Sequence, residues 1–174
     1  MDSWYDKSKG KKLYVMRGIS GSGKSTAAKS LSGVVPENIF ATDDLISDNL
    51  DGYNAFFEAM EEAQDWSPLS EKHQQLIALI GQAMEEGRTP LVLDNMNLQA
   101  WEAKAAVQKA VNQGYEVEFV EVGTGGQTAE QLAERNRHDV PLEEIQNMVD
   151  KYDAEGPLTV DKVLESELPE AHIA

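Results

Sequence analysis

At three places a helical spacing of apolar positions stops at a glycine and a short apolar run follows: KSLSGVVPENIFAT, GQAMEEGRTPLVLD and AVNQGYEVEFVEV. Glycine just past a helix end takes the left-handed backbone without a Cβ clash, so each is a helix stop. The runs that follow, NIFAT, PLVLD and YEVEFVEV, are short and bounded, as strands are. With KKLYVMRG ahead of them they predict four strands separated by helices, and alternating βα units build a parallel sheet with helices on its faces. LVL is apolar throughout, as in a strand covered on both sides, whereas the fourth run alternates Glu with Val and Phe and belongs nearer an edge.

The same pattern predicts helices over 24–32, 69–86, 99–113, 127–136 and 141–153. TAEQ, Thr128 to Gln131, has the form of a capping box, and Pro141 suits a first helical turn. Residues 43–66 read as short helices interrupted by DGYN. The length, 174 residues, is that of one domain. We expect a single unit over 12–165, a basic N-terminal arm over 1–11 and a loose tail over 166–174.

Composition narrows the setting. There is no cysteine, hence no disulfide, thiol nucleophile or zinc–thiolate site. No apolar run approaches the roughly 18 residues of a membrane span, and MDSWYDKSKGKK has no apolar core of a secretion signal, so a soluble cytoplasmic protein without membrane partners is expected. The formal net charge is −16, and residues 30–71 hold ten acids and no Lys or Arg. Such a surface repels polyanions at long range.

Between the first strand and the first helix lies GISGSGKS, which fits G-x-x-x-x-G-K-[ST] with Gly18, Gly23, Lys24 and Ser25 at the fixed places. Glycines let the backbone fold around phosphate oxygens with amide N–H groups inward, and the following helix adds its positive end. Lys24 reaches the terminal phosphates and the Ser25 hydroxyl completes a magnesium shell. The candidate nucleotide-binding residues are Gly18, Ser20, Gly21, Ser22, Gly23, Lys24, Ser25 and Thr26, and the implied ligands are ATP and Mg2+.

The loop leaves NTPase, kinase and binding switch open. LVLD ends in Asp94, which at a strand end can reach the magnesium through a water or can cap the segment NMNLQAW. NIFATDD ends in Asp43 and Asp44: one can accept the proton of an attacking hydroxyl while the other caps the next helix, or both can be caps. AERNRHDVP, between two helices, carries two of the four arginines, Arg135 and Arg137, with His138; it reads either as a lid that neutralises a transferring phosphoryl group or as a solvated face.

RGISGSGKST, ATDD, LVLDNMNLQAWEAK, QGYEVEFVEV and LAERNRHDVPLEEIQNMVDKYD occur in the order and spacing of a P-loop family. The chain resembles the kinase domain of bacteriophage polynucleotide kinase and the P-loop domains of the NEDD4-binding protein 2 group, from about Lys12 to Asp153. The resemblance implies a P-loop NTPase fold, three-layer α/β/α, with a four- or five-stranded parallel sheet in kinase-like order 2-3-1-4. It implies an ATP-dependent phosphotransferase with Asp43 as general base, Asp94 placing metal or substrate, and RNRH as part of a lid. Asp44, Asn95 and Asn97 complete the candidate substrate contacts.

Two departures bear on the acceptor. Three residues after the base the phage pattern has an arginine that grips a substrate phosphate; here it is Ile46. The phage lid arginine aligns with Asp139, which leaves Arg135 or Arg137 to substitute. Affinity for nucleic acid depends on cations paired with phosphates, and 30–71 supplies none. Tyr53, Phe56, Phe57, Met60 and Trp66 read as helix-packing residues or as a stacking surface for a base, and the arm Lys7–Lys12 with Lys72 and Arg88 offers a modest nucleic-acid contact. The expected acceptor is a hydroxyl of a nucleic-acid end, a nucleoside or a modified base. A small-molecule kinase and an ATP- or GTP-binding regulatory module are the alternatives.

Overall fold

A computed structural model describes residues 10–136 and 139–169. Strands β1 (Lys12–Gly18), β2 (Ile39–Phe40), β3 (Leu91–Leu93) and β4 (Glu116–Gly123) form one sheet in the order β2-β3-β1-β4, with each neighbouring pair parallel. This is the kinase-like order expected from the resemblance, with four strands. The two inner strands carry the apolar runs: Leu13, Val15, Met16 and all of Leu91–Leu93 are buried. On the β4 edge Glu116, Glu118 and Glu121 are exposed while Val117, Phe119 and Val120 are half-buried, as its alternation predicts.

The helices are α1 (Lys24–Ser30), α2 (Asp43–Ile46), α3 (Leu50–Ala63), α4 (Ser67–Glu85), α5 (Lys104–Asn112), α6 (Ala129–Arg135), α7 (Leu142–Glu155) and α8 (Val160–Glu165). Against one face of the sheet, Leu13, Val15, Leu91 and Leu93 pack with Leu76, Ile80 and Met84 of α4, Val107 of α5 and Val163 of α8. On the other face Met16 and Val92 meet Ala28 of α1, and Ile19 and Leu98 meet Leu132 of α6 and Ile145 of α7. Each such side chain removed from water contributes roughly 1.5–3 kcal/mol. Among the described residues no helix is long and apolar enough to cross a membrane.

Three expectations are corrected. α3 runs unbroken through DGYN, because Gly52 falls in its first turn, where its N–H donates to the capping Asn49 side chain at 2.7 Å. A glycine there weakens a helix less than one in its interior. Helix α8 has no counterpart in the sequence reading: at six residues it is too short to show a period, and it is held by Val163 in the core and the Thr159 cap. Arg88, read as a nucleic-acid contact, donates instead to the Asn38 side chain and the Glu37 carbonyl beside β2. The predicted arm lies outside the described residues apart from Gly10 and Lys11, as does the tail beyond residue 169.

Candidate active site

The turn from β1 into α1 is the GISGSGKS loop, and its shape needs glycine at two places. Gly21 and Gly23 sit at φ +88° and +92°, where a Cβ is strained. Gly21 also abuts α6: a Cβ there would lie 2.7 Å from the Leu132 carbonyl oxygen. The loop is braced by Gly18 N–H donating to the Met96 carbonyl (3.1 Å), Ile19 N–H to the Gly123 carbonyl (2.9 Å) and Gln127 Nε2 to the Gly21 carbonyl (3.2 Å). Gly21→Ala is therefore expected to weaken nucleotide binding about tenfold and to destabilise the fold by about 2 kcal/mol, which calorimetric titration and thermal unfolding would measure.

Asp94 stands at the end of β3, its N–H donating to the Phe40 carbonyl at 2.8 Å. Its carboxylate takes both functional groups of the loop. Lys24 Nζ lies 2.5 Å from Oδ1, and the Ser25 hydroxyl donates to Oδ2 at 2.9 Å. The pair is nearly enclosed, with side-chain exposures of 12% and 6%. The carboxylate faces the loop and does not cap the following segment. Ser25 Oγ and Asp94 Oδ2 are hard oxygen donors side by side, the chemistry that suits Mg2+, which keeps most of its waters and takes one or two protein oxygens.

At the tip of β2, α2 begins with Thr42 as its N-cap residue, so neither acid occupies the cap; Asp43 and Asp44 form the first turn. Thr42 is pinned from the β3 side. Its N–H donates to Asn95 Oδ1 (2.9 Å), and Asn95 Nδ2 donates to its hydroxyl (3.0 Å). That hydroxyl also contacts His73 Nδ1 of α4 at 2.9 Å.

The two acids differ in company. Asp43 acts on Tyr53 of α3: burial first, and then the Asp43 charge, push the Tyr53 phenol above its ordinary value. Asp44 lies on the loop side: burial, then the negative charges of Asp43 and Asp94, push its carboxyl up, against the pull of Lys29 and Lys24. A carboxyl raised in the folded state costs stability when ionised, above the folded value, and nothing below the unfolded value. Asp44→Asn is therefore expected to raise the unfolding temperature at pH 7, slightly because solvent screens the site. The gain should vanish as pH falls through the ordinary carboxylate range, in a series of thermal melts.

Asn95 and Asn97 work on the protein's own backbone. Asn97 is 2% exposed, with φ +49°, and its amide donates to the Met16 carbonyl at 2.8 Å and the Asn95 carbonyl at 3.2 Å. Its placement corrects the expected substrate contact to a positioning role. Ile46 closes α2 half-buried, where the phage pattern has its phosphate-gripping arginine. Arg135 is exposed in the last turn of α6, the helix that leans on Gly21; Arg137 and His138 lie outside the described residues. Asn136 braces the turn that follows, accepting from Val140 N–H at 2.8 Å and donating to the Ala133 carbonyl at 2.7 Å.

One important residue was missed. Arg17, 0% exposed, donates from Nε to the Asn97 carbonyl (2.9 Å), from Nη2 to the Leu98 carbonyl (2.5 Å) and from Nη1 to Glu121 (2.9 Å). The Tyr152 ring of α7 covers its guanidinium at 4.1 Å, and the Tyr152 hydroxyl donates to Glu121 at 2.8 Å. Burial, then Glu121, push the Tyr152 phenol up to about 12. This network joins the root of the loop, the segment after Asp94 and α7. The signal was available: an arginine inside VMRG, in a strand otherwise apolar, needs partners wherever the strand goes.

A family model described as an AAA domain matches residues 13–154. Human NEDD4-binding protein 2 is 33% identical over 160 residues, which cover 91% of this chain and 8% of that protein. The chain thus spans less than a tenth of the length of this relative.

Proposed function

This chain belongs to the P-loop AAA domain family, and from that membership and the geometry of its crevice we propose that it is a magnesium- and ATP-dependent kinase acting on a hydroxyl acceptor. The observation that carries the reading is the placement of a carboxylate pair, Asp43 and Asp44, at the tip of β2, with Asp44 in electrostatic reach of both Lys24 and Asp94. A loop that only holds a nucleotide has no need of a proton acceptor there.

In this mechanism Lys24 and the loop amides hold the β- and γ-phosphates. Ser25 and Asp94 would hold the magnesium, which would supply charge neutralisation at the phosphate oxygens. Lys24, now paired with Asp94, turns to the phosphates as they arrive. Asp43 accepts the acceptor's hydroxyl proton; the oxygen attacks the γ-phosphorus and the bond to the β-phosphate oxygen breaks, leaving ADP. Arg135 or Arg137 faces the charge on the moving group.

Ile46 and the cation-free stretch 30–71 favour an acceptor that brings few phosphates, such as a nucleoside, a modified base or a single nucleic-acid end. The test is a crystal structure with magnesium and a non-hydrolysable ATP analogue. Asp43 within about 8 Å of the γ-phosphorus, close enough to act directly or through one water, upholds the reading; a greater separation leaves a nucleotide-binding module as the better account.

A further inference from the structure

We infer that Tyr152, in the last turn of α7, is a positioning residue: by clasping Arg17 it fixes α7, and with it α6 and Arg135, against the phosphate loop. For phosphoryl transfer this rests on the kinase reading above; the placement of the helices rests on their contacts alone. Arg17 immediately precedes Gly18, the first residue of the loop. Its Nη2 reaches the Tyr152 carbonyl at 3.5 Å, and the Tyr152 ring covers the guanidinium at 4.1 Å. A cation suits this place twice over. The carbonyls at a helix C-terminus favour positive charge, and an aromatic face attracts it more strongly where water is excluded. Glu121 of β4 closes the clasp. One of its oxygens accepts from Arg17 and from the Tyr152 hydroxyl, and the other from the Leu158 N–H at 2.9 Å, just past α7. The ring also abuts Gly123, where a Cβ would lie 3.3 Å from it, and the Gly123 carbonyl takes the Ile19 N–H of the loop.

One pair of helices therefore grips the loop at two levels. At the root, Arg17 meets Tyr152 of α7. At the crown, a Cβ on Gly21 would lie 2.7 Å from the Leu132 carbonyl oxygen and 3.2 Å from the Asn136 nitrogen, the positions that bracket Arg135 in the last turn of α6. Between the two levels Ile19 packs with Leu132 and Ile145, one from each helix. Those two are also the residues that α6 and α7 fully bury, so the apolar hold on the pair is small and the polar clasp at Tyr152 carries much of its placement. Placement matters for a group that faces a moving phosphoryl, since an error of about 1 Å can cost about a hundredfold in rate.

The experiment combines a distance with kinetics. The chain has no cysteine, so Ala105→Cys on α5 and Glu134→Cys on α6, both exposed positions, accept one pair of spin labels. The distance distribution should be narrow in this parent and in Tyr152→Phe, which keeps the ring over Arg17, and should broaden in Tyr152→Leu. Tyr152→Met takes the same role if Tyr152→Leu does not fold. A distribution as narrow as the parent's overturns the inference. In unlabelled protein, transfer is followed with γ-labelled ATP and thymidine, a 5′-hydroxyl oligodeoxynucleotide and glucose as probes. Tyr152→Leu should lower kcat about tenfold with KM for ATP within about twofold, and should have no further effect in an Arg135→Ala background. An equal fall in both backgrounds, or an unchanged kcat, overturns the link from Tyr152 to Arg135. No transfer by the wild-type protein overturns the kinase reading alone if Tyr152→Leu broadens the distribution, and both together if it does not.

Discussion

Asparagine at position 43 should leave ATP bound and keep its γ-phosphate from moving. The substitution preserves the size of the side chain, but an amide cannot take a proton from an attacking alcohol. General-base catalysis contributes about 10²–10⁴-fold, so kcat should fall by about that factor. Two of the groups assigned to the triphosphate, Lys24 Nζ and the Ser25 hydroxyl, contact the Asp94 carboxylate, so the Kd for MgATP should stay within about twofold of wild type. Parallel measurement of transfer and of ATP binding separates the two effects. Loss of both would mean that Asp43 belongs to the nucleotide site.

Asp94→Ala has the second large effect, and it acts before any substrate arrives. Lys24 and Asp94 are nearly enclosed and their charges are paired at 2.5 Å. Removing the carboxylate strands the ammonium and leaves the Ser25 hydroxyl without its acceptor, which in a buried pair costs about 3 kcal/mol. In a chain of 174 residues that is a fall of about 8 °C in unfolding temperature. The half-saturating magnesium concentration for turnover should rise at least about tenfold, since one of two protein oxygens for the ion is gone. Asp94→Asn separates the roles: its single oxygen keeps an acceptor for Lys24 and its NH2 can donate to the Ser25 hydroxyl, so the melting loss shrinks while the magnesium effect remains.

What could be read from the chain follows the range of the forces involved. The four strands and the edge place of the last were legible because Leu91–Leu93 and the Glu/Val alternation of 116–122 record burial at each position, whereas the strand order came from the family resemblance. The loop was legible because its glycines answer a local steric demand. α3 was misread at DGYN because the Asn49 cap, a side-chain bond three residues away, decides the cost of Gly52. Arg17 and Asn97 were missed as scaffolding because their partners, Glu121, Tyr152 and the Met16 carbonyl, converge only when β1, β4 and α7 meet. Tyr53 was read as packing or stacking, and its ring packs on Phe57 at 4.8 Å between centroids.

The central claim is that the γ-phosphate leaves ATP for an alcohol. It is tested most directly by incubating the wild-type protein with magnesium, γ-labelled ATP and a broad set of hydroxyl compounds, then balancing label against ADP. The kinase account predicts one label on acceptor for each ADP formed, and loss of that product in Asp43→Asn. Tight ATP binding with label only in ATP or inorganic phosphate, whatever the hydroxyl compound offered, would contradict it.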